Sequence, residues 1–437
     1  MFSKINLSED SVSKLFVNFS VPSVTGMVIS ALYAIVDGIF IGRGVGADGL
    51  AAITLAYPII NLGVALSFLF GMGGATLMSL HPKNIKFRNT CFSHLVTLNI
   101  ISYLILVAIT FIFNDKLMLL MGSNERLLPM VKEYLYTCVV AMIFLMLSNS
   151  LNAVVRNDKA PLYAFISMIV GAITNIVLDW VFIIKLGWGL FGGALATGIG
   201  QFLSFLILIW YFIHSKTTIK YKFEKIKLVF LINIVYIGFP SFTIEFAAAV
   251  TNTLLNKTFM EYLGGLGVAA FSIVAYICYI FRMVFSGFGQ ALQPIASFNY
   301  GIKLHDRVKK IFKIAHLYSF VTACLLLFIM IKYGSSIVKL FNDDKELIEV
   351  ASNGLILYSV GIMFLAANFI NISYLQAKGD KKISNILSIL RSIIFITIAI
   401  IILPRIFGET GIWLSFPAAD IMTFVASIFF YKRIIAS

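Results

Sequence analysis

The chain has 437 residues, 60% hydrophobic and 12% charged, where soluble globular domains run near ~45–50% and ~25%, so a water-soluble globule is excluded. Its formal charge of +14 would suit nucleic acid only if gathered on one soluble face. The basic residues instead sit in short loops between apolar runs, so no nucleic-acid partner is expected and the charge becomes a signal of topology.

The N-terminus opens on a polar stretch, Ser3 to Ser13, and the apolar run behind it outlasts the about 7–15 residues of a signal-peptide core. It is expected to stay as the first span. Apolar runs broken by charges, Gly or Pro predict spans at 14–41, 49–79, 90–113, 128–154, 161–184 and 189–213. A second set follows at 228–256, 265–298, 314–333, 347–376, 383–404 and 410–431. The expected fold class is an all-α polytopic membrane protein with twelve transmembrane helices. An even count puts both termini on one side. Lys and Arg concentrate at the termini (Lys4, Lys14, Lys432, Arg433) and in the even-numbered loops, for example Lys83, Lys86 and Arg88, and Lys216 through Lys227. Because basic residues accumulate in cytoplasmic loops, both termini are expected to be cytoplasmic.

Pro22-Ser23 recurs as Pro240-Ser241, Gly46 as Gly264, and Leu50-Ala51-Ala52-Ile53-Thr54 as Val268-Ala269-Ala270-Phe271-Ser272, at one constant offset. After a four-residue insertion, Asn149 recurs as Asn371, Asp158-Lys159 as Asp380-Lys381, and Gly189 as Gly411. Two consistent offsets mark an internal duplication. With six spans each, the halves share one orientation and form two six-helix lobes related by a parallel pseudo-two-fold axis, a transporter architecture. The expected division is an N-terminal lobe at 1–214, a cytoplasmic linker at 215–227 and a C-terminal lobe at 228–437.

An ionisable side chain at membrane depth costs at least about 2.5 kcal/mol, which makes each one a functional candidate. Asp37, Asp179, Glu245 and Asp420 qualify, with Arg282 and Arg391 as in-span partners. Asp37 and Asp179 lie at similar distances from the outer ends of spans 1 and 5, Asn175 is one helical turn before Asp179, and Thr197 lies on span 6. Two carboxylates, an amide and a hydroxyl supply the oxygen ligands a hard cation such as Na⁺ accepts; the same carboxylates could hold a proton. In the second repeat the equivalents are Leu255, Thr397 and Ile401, so the cluster belongs to the first half. Tyr33, one turn before Asp37, is the leading candidate for contact with a bulky apolar substrate, and Glu245 and Asp420 are candidates for the cavity or a secondary protonation site.

Cys91, Cys138, Cys278 and Cys324 lie in apolar runs without close pairing and read as buried apolar residues. Gly44-Val45-Gly46-Ala47-Asp48-Gly49 matches a dinucleotide fingerprint but follows a membrane span without a βαβ unit, so it is set aside. The five histidines form no H-E-x-x-H and there is no Walker A sequence. Neither an enzyme, an ATP-driven pump nor a cofactor beyond a coupling ion is expected.

The chain resembles the multidrug and toxic compound extrusion (MATE) family, and within it the staphylococcal-type exporters. The resemblance rests on Val36-Asp37-Gly38-Ile39-Phe40-Ile41-Gly42, Gly49-Leu50-Ala51-Ala52, Thr174-Asn175-Ile176-Val177-Leu178-Asp179, Gly193-Ala194-Leu195-Ala196-Thr197, Gln376-Ala377-Lys378-Gly379-Asp380 and Gly411-Ile412-Trp413. It departs where Leu80-His81-Pro82-Lys83 replaces a glycine-containing loop. The resemblance implies a cation-coupled (H⁺ or Na⁺) antiporter that exports lipophilic, often cationic compounds from a bacterial plasma membrane, and Asp37, Asn175, Asp179 and Thr197 match the family's ion or proton site. A monomer is expected. A flippase for a lipid-linked envelope precursor is the alternative, but that role calls for a cationic cavity, and here four in-span acids face two arginines.

Overall fold

The computed structural model describes residues 5–215 and 217–430; Lys4, Lys216, Lys432 and Arg433, used above for topology, lie outside them. The described chain is helical throughout its spans, in the order α1 (Val12–Gly44), α2 (Ala47–Leu80), α3 (Ile85–Leu120), α4 (Leu128–Asn157), α5 (Pro161–Asp179) and α6 (Gly189–His214), then α7 (Leu228–Gly301), α8 (His305–Lys339), α9 (Lys345–Ser359) and α10 (Ile362–Ala377). The last four are α11 (Lys381–Ile389), α12 (Ile396–Phe407), α13 (Glu409–Trp413) and α14 (Ser415–Phe429). Two π-helical turns interrupt the regular winding, Trp180–Lys185 after α5 and Leu390–Phe395 between α11 and α12.

Among the described residues nine helices are long and apolar enough to cross a membrane, or ten if α9 and α10, bent by 45°, count as one span. Twelve spans result when the 74-residue α7 is divided at Gly264 and the shorter apolar α14 is added. Backbone conformation carries the duplication. Gly46, between α1 and α2, has φ +91°, and its repeat equivalent Gly264 has φ +60° at the break in α7. Both occupy the left-handed region that a side chain resists. The predicted end of span 3 is also met by a break: Asn114 takes φ +38° and its side chain accepts a hydrogen bond from the Tyr136 hydroxyl.

By compactness the chain forms two units. One is Thr25–Phe246; the other joins Met1–Val24 to Ala247–Ser437. The borders of these units fall inside α1 and α7. In the Thr25–Phe246 unit, the first arm of α7 is pressed onto α2: a Cβ at Gly238 would stand 1.8 Å from the Leu69 carbonyl oxygen. In the other unit, Phe16 of α1 stacks on Phe288 at 5.9 Å and meets Tyr318 edge-on at 5.4 Å.

Lipid tails are as apolar as leucine, so close packing and interhelical hydrogen bonds hold such helices together. The single Ser150 hydroxyl proton on α4 is shared between the Ser67 carbonyl at 2.8 Å and Asn99 Oδ1 at 3.1 Å, tying α4 to α2 and α3. Two apolar clusters fill the Thr25–Phe246 unit, one around Phe70, Cys91 and Tyr211 and the other around Ile41, Tyr134 and Ile183.

Residues 217–227 are not a free tether. Their backbone N–H groups are received by side chains on one face of α3: Lys220 N–H by Asn89 Oδ1 (3.0 Å), Lys222 N–H by Ser93 Oγ (2.9 Å) and Lys227 N–H by His94 Nε2 (2.9 Å). Because His94 Nδ1 lies 2.8 Å from the Thr90 carbonyl, the bonding assigns the proton to Nδ1 and leaves Nε2 as the acceptor. Thr217 Oγ donates to Asp158, which also takes Arg88 at 2.9 Å and the Tyr211 hydroxyl at 2.8 Å.

Candidate functional site

Asp37 lies two turns before the end of α1, and Asp179 is the last residue of α5 before the π turn. Both side chains are buried, Asp179 fully so at 0% exposure. Their carboxyls come within hydrogen-bonding reach of each other. Asn175, one turn back on α5, donates through Nδ2 to Thr197 Oγ at 3.1 Å. The α5–α6 contact that permits this bond is glycine on glycine: a Cβ at Gly200 would stand 2.7 Å from the Gly171 carbonyl oxygen and 3.3 Å from Asn175 Cβ.

The electrostatic character of the cluster follows from what it lacks. Asp37 Oδ1, Asn175 Oδ1 and both carboxylate oxygens of Asp179 are buried and receive no hydrogen bond among the described residues. Four acceptor oxygens without a donor are costly in a low-dielectric interior. A proton shared between the carboxylates, or a hard cation coordinated by oxygens, relieves that cost. The donor set therefore fits either H⁺ or Na⁺.

Tyr33, one turn before Asp37, sits in the field of both carboxylates and close to Gln201, whose Oε1 accepts from Ser148 Oγ at 2.9 Å. Sequence reasoning misses Gln201, although it follows Thr197 by four residues on the same face of α6. Tyr134 and Cys138, one turn apart on α4, also lie in the field of Asp37. Phenol and thiol side chains are cheap at membrane depth and raise no flag in a sequence.

The remaining candidates lie elsewhere. Glu245 is half-buried on the first arm of α7, next to the unit border at Phe246. Asp420 of α14 accepts from Arg391 Nε at 2.6 Å and from Asn368 Nδ2 at 3.1 Å, while Asn368 also donates to its backbone carbonyl at 2.8 Å. Arg391 lies 4.8 Å from the Phe369 ring centroid. This acid is charge-balanced within its own unit.

The second repeat contains no copy of the cluster, and its backbone differs too. The π turn Leu390–Phe395 precedes Thr397 and Ile401, whereas Trp180–Lys185 follows Asp179. A π turn carries one extra residue and rotates what comes after it. Ile401 is 49% exposed where Asp179 is fully buried.

A duplicated bundle of apolar spans with a buried, donor-free acid cluster in one repeat defines a secondary-transporter fold. The MatE family pattern matches residues 22–181 and 240–401, one stretch in each repeat, and the chain belongs to the MATE family of transporters. The multidrug export protein MepA of Staphylococcus saprophyticus is 25% identical over 428 residues, covering 97% of this chain and 94% of that protein. MepA of Staphylococcus haemolyticus is 26% identical over 429 residues with the same coverage. Among solved structures, the MATE multidrug transporter DinF-BH, solved as a complex, has a TM-score of 0.89 at 26% identity, covering 99% of this chain and all of that one. An outward-facing MATE-family multidrug resistance transporter of the MOP superfamily reaches 0.92 at 20% identity, with 99% of both chains covered, a likeness of fold.

Proposed function

We propose that the protein is a cation-coupled secondary antiporter of a bacterial plasma membrane that exports lipophilic, often cationic organic compounds by alternating access. The observation that carries this reading is the meeting of Asp37 with Asp179 beside the Asn175–Thr197 bond, with acceptor oxygens that no donor satisfies. In this reading H⁺ or Na⁺ binds at Asp37, Asn175, Asp179 and Thr197, and its inward movement drives export. One charge moving across 100 mV supplies about 2.3 kcal/mol, roughly a fifty-fold gradient. Tyr33 links the ion site to cargo, its ring offering an apolar face and its hydroxyl reading the charge of the pair. Glu245 serves as a secondary proton or cavity site. Asp420 contributes to the second repeat through its pair with Arg391. The protein acts as a monomer with both termini in the cytoplasm. Relatives named as multidrug exporters and a structural neighbour named as a multidrug transporter support this substrate class.

The flippase alternative is weakened by the pairing of Arg391 with Asp420, which leaves fewer in-span cations for a pyrophosphate. The test is efflux of a fluorescent cationic dye from proteoliposomes under an imposed pH or Na⁺ gradient, in wild type and Asp37→Asn. Gradient-driven efflux that is lost in the variant is expected, and the effective gradient names the ion. Equal efflux in Asp37→Asn would overturn the role of this residue, and no efflux under either gradient would overturn the antiporter.

A further inference from the structure

The linker's exposed side chains form a pattern its hydrogen bonds do not explain. Residues 217–227 join the end of α6 to the start of α7, two membrane-spanning helices, so chain connectivity alone puts them at the water–lipid boundary. One side of the strap is committed to the protein. Ile219 is 3% exposed in the apolar cluster with Tyr211 and Leu208, the N–H groups of Lys220, Lys222 and Lys227 are held by α3, and Glu224 takes Thr90 Oγ at 3.2 Å and Lys227 Nζ at 3.1 Å. The other side presents an alternation: Lys220, Tyr221, Lys222, Phe223, Lys225 and Ile226 are all exposed, with Phe223 at 81%.

We infer that the 217–227 strap is a docking surface for the anionic headgroups of the adjoining membrane leaflet. Each part answers a part of a lipid surface. Among the described residues Lys220, Lys222 and Lys225 have no acidic partner, whereas Lys227 is offset by Glu224, so the face carries net positive charge toward phosphates. Tyr221 and Phe223 between them are the rings that settle at headgroup level, where an apolar face and a polar surround are both available. Lys83 and Lys86, exposed just ahead of the α3 turn that holds Lys220, extend the same charge. Each basic residue at an anionic surface is worth about fivefold in affinity, so three amount to roughly a hundredfold. Backbone anchoring is the second requirement: a strap already fixed to α3 loses little freedom on docking, which keeps that gain. This surface is independent of the ion-coupling proposal, since it draws on none of the residues of the acid cluster.

The test uses the full-length protein in nanodiscs of phosphatidylcholine, with and without phosphatidylglycerol. Phosphatidylglycerol is expected to raise the Tm of wild type. The triple variant Lys220→Gln/Lys222→Gln/Lys225→Gln is expected to lose that rise while keeping the wild-type Tm in phosphatidylcholine alone. Inorganic phosphate at matched ionic strength is expected to give no rise, which separates a lipid headgroup from a free anion. A probe on Phe223→Cys is expected to be quenched by nitroxide placed near the lipid headgroup, and this reading stands even if the triple variant folds poorly. An equal rise in the triple variant overturns the proposal. So does a probe reached by aqueous iodide but not by lipid nitroxide, the result expected of a strap facing water or a protein partner.

Discussion

At the scale of single residues, Asp37, Asp179 and Asp420 are all acids at membrane depth with different surroundings. Asp420 is answered by Arg391 and Asn368. Removing one partner of such a pair strands the other charge, at a cost of about 3–5 kcal/mol, while replacing both by apolar groups is often neutral or stabilising. Arg391→Met is therefore expected to lower Tm sharply, and Arg391→Met/Asp420→Leu to restore most of it, as read by thermal melts in detergent. Asp37 and Asp179 lie beside each other, with Asp37 Oδ1 and both Asp179 oxygens receiving no hydrogen bond among the described residues. Asp37→Asn and Asp179→Asn are accordingly expected to abolish coupled efflux singly, with the double variant no worse than either, because residues acting as one unit are non-additive. A dye-efflux cycle of the four proteins checks this; additive losses would separate the two carboxylates. Depth made all of these acids visible in the sequence, and helical spacing added Asn175. That an in-span acid could pair with Arg282 or Arg391 was legible; that Arg391 meets Asp420 in particular was not, since only packing decides which acid it reaches. Gln201, Tyr134 and Cys138 escaped notice because uncharged polar groups cost too little to stand out.

Among helices, the site depends on how closely α5 and α6 approach. Gly171 and Gly200 allow it, and the Asn175–Thr197 bond spans the same contact. Gly200→Ala puts a methyl against backbone that cannot yield, an overpacking expected to cost about 1–3 kcal/mol. The expected outcome is a lower Tm together with a higher half-saturating ion concentration for dye efflux, as the amide and hydroxyl part. A Tm loss with unchanged ion dependence would show that the contact is structural alone. The breaks at Asn114 and Gly264 were readable as span ends, because charge, Gly and Pro punctuate helices at the membrane boundary. The π turns were not, since neither Trp180–Lys185 nor Leu390–Phe395 contains Gly or Pro, and the charges they carry, Lys185 and Arg391, do not specify a π turn. Their placement nevertheless separates the repeats as surely as the acids do, by turning Ile401 outward where Asp179 is buried.

For the molecule as a whole, duplication, twelve spans and transporter class were all legible, because membrane-depth apolarity and internal repetition are written directly in composition and spacing. The borders of the compact units were not. They cut α1 after Val24 and α7 after Phe246, and no local residue pattern marks a change of packing partner within one continuous helix. That division gives the polypeptide an order of completion. The Thr25–Phe246 unit has all of its parts once Phe246 has been synthesised. The first arm of α1, made earliest, waits for Phe288, which Phe16 stacks on, and the segment just before it waits for Asn299 and Arg307, which bond the Leu7 carbonyl at 3.0 and 3.1 Å. At about 5–20 residues per second that interval is on the order of ten seconds to a minute. During biosynthesis the earliest-made arm of the protein's first helix is thus among the last segments to find its partners, while the rest of that helix packs sooner, and a nascent chain stalled between residues 246 and 288 leaves that arm unclaimed in the bilayer.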